Sequence, residues 1–164
     1  MSDEVLARCE VAGRSLKVRR AVSGDVPALA ALFGADPVSA ARGDGTEGDL
    51  ADYERAFAAV DADPHQLLVV VTEAAGIVGT LQISLLPGLG RRGMLRGQLE
   101  AVHVDGSWRG RGLGAWLVGW AVEECRRRGC GLVQLTSAVE RGDAHRFYER
   151  LGFTASHVGF KVIL

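Results

Sequence analysis

The order of apolar and polar residues changes period along the chain, and each change marks an element. Residues 16–20 alternate apolar and basic, which predicts a first strand. Ser23, Gly24 and Asp25 supply caps for a helix with Pro27 in its first turn, ending near Phe33 and closed by Gly34. Residues 35–48, rich in Gly, Asp and Pro, read as a loop whose tip carries Arg42, Asp44, Thr46 and Glu47. Asp49 is placed to cap a second helix, with Leu50, Tyr53, Phe57 and Val60 on one stripe and Asp63 and Pro64 as its stop. The runs QLLVVVT and IVGTLQISL, residues 66–72 and 77–85, flank a turn at Ala75 and Gly76 and predict a hairpin.

The second half repeats this change of period. A strand at 99–104 leads into a Gly/Arg loop at 109–114 and then a long helix with Leu113, Trp116, Leu117, Trp120 and Ala121 on one face. The two tryptophans read as packing against the sheet. Arg126, Arg127 and Arg128 complement the helix C-terminus as a solvated end, and Gly129 closes it. The run 132–136 follows as a strand parallel to 99–104 through a right-handed helical crossover. A further helix places Ala144, Phe147, Tyr148 and Leu151 on one face and ends at Gly152. Residues 153–156 and 158–164 predict a closing hairpin turning near His157 and Gly159. Residues 1–13 read as a loose or edge segment. The connection 86–98 holds Gly88, Gly90, Gly93 and Gly97 with Arg91, Arg92 and Arg96. It reads as a solvated flap or as a substrate-side lid favouring an acidic acceptor.

Composition narrows the class. A chain of 164 residues is one domain, large enough for a proper core. At 48% hydrophobic and 24% charged it is of the soluble globular kind, and no apolar run is long enough to span a membrane. A formal net charge of -1 gives no reason to expect nucleic acid as a partner. Cys9, Cys125 and Cys130 are scattered and odd in number, which argues against a disulfide framework and suits a reducing cytoplasm. No CxxC or His/Cys cluster points to a metal. The acidic N-terminal stretch lacks the apolar centre of a signal peptide.

The Gly/Arg loop carries the chemistry. Gly110, Gly112 and Gly114 remove side chains where a strand turns into a helix, so backbone can come close to a ligand. Helix N-terminal amides lack intrahelical partners and favour an anion, naturally a phosphate or diphosphate, with Arg109 and Arg111 as further donors. No Lys-Ser or Lys-Thr follows, so the P-loop pattern fails. Gly110, Gly112 and Ala115 fit the relaxed dinucleotide pattern GxGxxA, but no carboxylate ends the next strand at Leu135, Thr136 and Ser137. A dinucleotide-dependent oxidoreductase is therefore the lesser alternative.

The spacing Arg-x-x-Gly-x-Gly in RGRGLG, after VHVDGSW and before a long helix, resembles the acetyl-CoA loop of the GNAT N-acetyltransferases. HRFYERLGF, residues 145–153, is similar to that family's C-terminal motif, at the family's usual separation. The likeness covers roughly residues 66–164 by motif and the rest by element order.

That resemblance implies an α/β (α+β) GNAT fold. Its sheet would be mixed and mostly antiparallel, of about seven strands, with a central splayed parallel pair and helices on both faces. It implies a single acetyltransferase domain over 1–164, with 99–128 and 143–164 as its two motifs. Acetyl-CoA would bind at Arg109, Gly110, Arg111, Gly112, Leu113, Gly114 and Ala115, with its pantetheine arm along Val102, His103 and Val104. Many members place an Asn where this chain reads SAVERGDAH, so Ser137, Asp143 or backbone would take that contact. Tyr148 matches the motif tyrosine that protonates the departing thiolate. A free phenol near pKa 10 against a thiol near 8.5 makes this only mildly uphill.

Glu100, in the apolar strand LEAVHV, is the candidate base. Alternation puts it on a face with Val102 and Val104, where partial burial would raise its pKa. Its alternative is a solvated or Arg-paired carboxylate. By the same alternation His103 falls on the opposite face and reads as structural, while helical phase exposes His145. The expected reaction is direct attack by a primary amine of a small molecule, or of a peptide or protein, with a backbone amide near Val102 at the oxyanion. The acceptor would enter from the side of the two N-terminal helices and the Arg-rich connection. Neither Cys125 nor Cys130 has a recognisable His partner for a covalent route. A catalytically silent acyl-CoA-binding module and a homodimer are compatible with the same residues.

Overall fold

The computed structural model describes residues 4–45 and 50–164. Thr46, Glu47 and the expected cap Asp49 lie outside the described residues. The strands are β1 (Val5–Val11), β2 (Arg14–Arg20), β3 (Gln66–Glu73), β4 (Gly76–Leu86), β5 (Arg96–Val104) and β6 (Leu132–Gln134). The helices are α1 (Val26–Gly34), α2 (Pro37–Ala40), α3 (Leu50–Ala62), the single turn α4 (Gly90–Gly93), α5 (Leu113–Arg127) and α6 (Gly142–Arg150). Strand order in the sheet follows the sequence, β1 to β6, antiparallel throughout except for the parallel pair β5 and β6.

The sheet is covered on both faces, which is why β3 is apolar almost continuously. Leu67, Val69 and Val71 join Leu81, Ile83 and Leu99 in the core under α5, where Leu113, Leu117, Val118 and Ala121 are fully buried. Leu68 and Val70 face the other way, with Ala21, Leu29, Phe33 and Phe57 of the α1 and α3 layer. Trp116 and Trp120 are partly buried against the α5 core, as their spacing predicts. The two layers are tied by Arg19 on β2, whose guanidinium bonds both carboxylate oxygens of Asp25 at 2.7 and 2.9 Å. At the end of α5, Arg127 and Arg128 both bond the buried Glu124 and Arg126 pairs with the exposed Glu123, so all three arginines are engaged rather than merely solvated.

Several expectations are corrected. The sheet has six strands among the described residues. Of the two readings of the N-terminal segment, loose or edge, residues 5–11 take the second and form a paired edge strand. β5 begins at Arg96, so the Arg-rich connection shrinks to 87–95. It meets the sheet at the start of β5, whereas the Gly loop leaves its end. The nine residues of β5 lie between the two, and residues 87–95 are not among those that line the cleft or its adjoining pocket. Residues 35–48 contain the short helix α2, N-capped by Asp36. The closing hairpin is not formed: 153–164 carries no strand, and Val158, Phe160, Val162 and Ile163 are exposed. Their alternation is strand patterning, but a strand needs an edge to pair with, and β6 offers three residues.

Two backbone features shape β5. Ala101 has φ 51°, and the β4–β5 register jumps there: Gln82 faces Glu100 but Thr80 faces His103. This is a bulge, with one extra residue on β5. Gly97 lies where α5 presses on the strand; a Cβ there would sit 2.5 Å from Cys125 Sγ.

Candidate active site

The parallel pair defines the site. β5 and β6 bond only through Arg96–Leu132, Gly97–Val133 and Gln98–Gln134. Beyond Gln98 the two chains part, which leaves the β6-side edge of 99–104 without a strand neighbour. The splay implied by the resemblance is thus present. At the next residues the bulge adds twist to β5, and Ala138, Arg141 and Ala144 of α6 and its leading turn line the opposite side.

The gap opens into a cleft of about 830 Å³. Val102, His103 and Val104 form one wall, Arg109, Gly110 and Gly114 one end, and Arg141, Phe147 and Tyr148 the other wall. A contiguous pocket of about 180 Å³ brings Glu100, Ser137 and Tyr148 together with Ser39 and Arg42. Of the expected residues, Val102, His103, Val104, Arg109, Gly110, Gly114, Asp143 and Tyr148 line the cleft and Glu100 and Ser137 the adjoining pocket, Gly112 and Ala115 line a neighbouring pocket, and Arg111 and Leu113 line none of the three.

At the loop, Gly112 is the N-cap of α5 with φ 90°, a left-handed conformation that a side chain would strain. The first backbone bond of the helix runs from Trp116 N to Gly112 O at 3.0 Å. The amides of Gly112, Leu113, Gly114 and Ala115 therefore precede the intrahelical ladder. Arg109 and Arg111 are exposed beside them. A Cβ on Gly114 would touch the Phe147 ring at 3.5 Å, so this glycine sets how closely α5 and α6 approach. One parallel pair is too little for a doubly wound sheet, so the dinucleotide reading of GxGxxA has no structural support.

Tyr148 lies edge-on to Phe147 at 5.1 Å and to Phe153 at 5.7 Å between ring centroids. Burial pushes its phenol above the ordinary value, with only a partial offset from the Arg141 charge. Glu100 differs from expectation. It is exposed, and its Oε1 accepts from Gln98 Nε2 at 2.7 Å. The bulge also takes Glu100 off the face of Val102 and Val104, while His103 stays opposite those two. Leu99, Val102 and Val104 pack toward the α5 core, whereas His103 turns to the α1 and α2 layer.

His103 stacks edge-to-face on Phe33 at 4.9 Å, and its Nε2 lies 3.1 Å from Ser39 Oγ. Ser39 in turn donates to Asp36 Oδ2 from both its amide and its hydroxyl, each at 3.0 Å. Arg141 sits 3.7 Å from the other Asp36 oxygen. Burial would raise the Asp36 pKa, but the two Ser39 bonds and the Arg141 charge outweigh it and hold the carboxyl below its usual range. Sequence reasoning missed Asp36, Ser39, Arg42 and Arg141 as site residues. The Asp-Pro-x-Ser run at 36–39 carries the cap-plus-proline signal of a short helix, but no spacing rule places it against His103.

The two stand-ins for the family's Asn part company. Ser137 is half-buried in the pocket with Tyr148. Asp143 lines the larger cleft instead, with a side chain 97% exposed and paired with Arg146. His145 is half-buried rather than exposed, with Nε2 2.9 Å from the Ala138 carbonyl. Cys125 is buried, and burial pushes its thiol up to about 12, which leaves no thiolate for a covalent route.

Comparison with known proteins agrees with this geometry. The profile of the acetyltransferase (GNAT) family matches residues 32–153. An aminoalkylphosphonate N-acetyltransferase of Salmonella typhimurium is 32% identical over 112 residues, 68% of this chain and 72% of that protein. A glucosamine 6-phosphate N-acetyltransferase of Trypanosoma brucei brucei is 40% identical over 79 residues, 48% of this chain and 52% of that protein. Among solved structures, a Bacillus halodurans C-125 protein described as a transcriptional regulator superposes with TM-score 0.86 at 38% identity, covering 91% of this chain and 99% of that one. With the parted strands, the glycine-led helix and the tyrosine of α6 in their places, this chain belongs to the GNAT acetyltransferase family.

Proposed function

We propose that the protein moves an acetyl group from acetyl-CoA to the primary amine of a small acceptor that also carries an acidic group. The parting of β5 and β6 beside the glycine-led start of α5 is the observation that carries this reading. The residues fit coenzyme A. Four amides outside the helical ladder and the exposed Arg109 and Arg111 suit a diphosphate. The open edge at Val102, His103 and Val104 and the Ser137 hydroxyl suit an amide-bearing arm. When bound, the coenzyme supplies an acyl group activated as a thioester.

The chain's own residues then have separate tasks. Tyr148 holds a proton at Oη for the departing sulfur, and its raised pKa keeps that proton in place at neutral pH. An amide near Val102 faces the charge that develops on the carbonyl oxygen. In the smaller pocket beside Tyr148, Glu100 and His103 are the groups able to take the proton of an incoming ammonium. The acidic group of the acceptor is supported by Arg42 and Arg141 at the pockets and by the names of two relatives, both enzymes of phosphorus-bearing amines. The scattered free thiols support a reducing cytoplasm as the place of action. The exposed apolar residues of 158–163 support a homodimer.

A second reading, a silent acyl-CoA-binding regulatory module, is favoured by the Bacillus halodurans protein described as a transcriptional regulator. One experiment separates the two. Thiol release from acetyl-CoA is followed over a panel of aminoalkylphosphonates, amino-sugar phosphates, amino acids and neutral amines. Acetyl transfer with preference for the anionic amines is expected. Coenzyme binding without thiol release from any amine would establish the silent module instead.

A further inference from the structure

From Phe153 to Leu164 the chain has no turn and no bend. The backbone N–H and C=O groups of 154–164 make no hydrogen bond to one another or to the rest of the described chain. Extended residues advance about 3.3 Å each, so this arm reaches about 36 Å from Phe153, against a radius of gyration of about 15 Å for a compact chain of this length. Its side chains stand clear of the fold: Val158 and Val162 are 80% exposed and Phe160 94%. Yet the arm is built as a strand. Val158, Phe160, Val162 and Leu164 alternate onto one face, with Gly159, Lys161 and Ile163 on the other, and β-branched residues dominate. Water can satisfy such a backbone, but only a sheet edge gives it a ladder and covers its apolar face.

The sheet has such an edge. β6 is its last strand and is paired on one side only, by β5. That ladder stops at Gln134, but the chain runs on to Ser137 without a turn or bend, so 132–137 presents a longer free edge than the ladder itself. Beside it lies a groove of about 260 Å³ walled by Val122 of α5, Leu132 and Val133 of β6, and Leu151 and Phe153. The one charged side chain in its lining, Arg126, is paired with Glu123. Strand and edge are thus complementary, but one copy does not join them. To lie on its own β6, the arm would have to reverse within 154–157, and those residues run straight.

Resting on the homodimer reading above, we infer that two copies exchange these arms: residues 158–164 of each copy add as a strand to the free edge of β6 in the other. The exchange gives the arm's backbone its ladder and covers an edge that would otherwise invite indiscriminate pairing. The face of Val158, Phe160 and Val162 then meets the apolar groove, and Lys161 stays on the far side. Under a two-fold axis both contacts use the same two surfaces, so the assembly closes at two copies rather than growing. It also reaches the cleft. The arm starts at Phe153, whose ring lies 5.7 Å from that of Tyr148, and β6 leads into Ser137, so the exchanged strand braces one wall of the pocket that holds both side chains.

The test uses the full chain. Light scattering over a range of concentrations gives the mass, and amide hydrogen exchange gives the protection of 132–137 and of 158–164, in wild type, Val162→Pro and Val162→Ile. The expected outcome is a dimer with both segments protected. Val162→Pro removes a ladder donor, so it should lower protection in both segments about tenfold or more and shift the mass toward the monomer. Val162→Ile keeps donor and β-branch and should stay dimeric. Val162 lies outside the core of each copy, so neither change threatens the fold. A dimer whose 158–164 amides exchange freely has another interface, which overturns arm exchange while the homodimer stands. Protection of 158–164 with no change at 132–137 in Val162→Pro puts the arm on another surface and overturns the assignment to β6. A monomer overturns both readings: with protected arm amides the arm has folded onto its own chain, and with open amides it stays in water.

Discussion

In the proposed reaction a phenol that is to protonate a departing thiolate must still hold its proton at working pH, and burial of Tyr148 beside Phe147 and Phe153 raises its pKa in that direction. The raised pKa has a definite sign. A general acid fails when it ionises, so the alkaline loss of kcat attributable to Tyr148 should lie above the ordinary phenol value of about 10. Tyr148→Phe should lower kcat by about 100-fold or more and leave acetyl-CoA binding within about twofold. A change of only a few-fold in steady-state kcat would remove Tyr148 from the chemistry. At this scale the sequence was readable for Tyr148 and for Gly110, Gly112 and Gly114, because motif and spacing mark them. It is misleading for Glu100, because strict alternation does not hold across a strand that carries a bulge at Ala101. Nothing in LEAVHV marks a left-handed alanine, so the change of face at Glu100 is not legible.

Among the elements, the contact of α5 with β5 is the tightest joint near the site. A methyl at Gly97 would meet Cys125 Sγ at 2.5 Å, with both groups enclosed. Gly97→Ala should cost about 1–3 kcal/mol in urea unfolding, as overpacking does. Adding Cys125→Ala should recover much of it, because the two sites share one volume. Full additivity of the two changes would show that the joint is not as close as described. Local pattern made β2 to β4, α1, α3, α5 and α6 legible, since each has its own period and its own stop. The C-terminal hairpin was over-read for the same reason: apolar alternation at 158–164 was present, but pairing is a property of the sheet. The splay of β5 from β6 came from family likeness, because no local pattern encodes where two strands stop bonding.

For the molecule as a whole, two carboxylates tie layers and helix ends together and make stability depend on pH. Burial raises the pKa of Asp25 and of Glu124, but arginine bonds outweigh it in both, joined at Asp25 by the Val22 amide, and both end below their ordinary values. Groups depressed in the folded state contribute stability above the unfolded carboxylate range, about pH 4, and lose it as pH falls through the folded pKa. Asp25→Asn should therefore lower stability by about 2 kcal/mol at pH 7, with the gap to wild type closing below about pH 4 in urea titrations. A gap independent of pH would deny the ion pair its role. Light scattering should give the mass of a homodimer, and Phe160→Asp should shift it toward the monomer; a monomeric wild type would refute the dimer.

The most direct measurement of the central claim is calorimetric titration of the full chain with acetyl-CoA. Saturable binding of one molecule per chain is predicted, weakened about tenfold or more when Gly112→Val strains the cap of α5 and crowds its amides. Absence of any binding heat, together with no shift in melting temperature, would contradict the assignment of the parted strands and the glycine-led helix to coenzyme A.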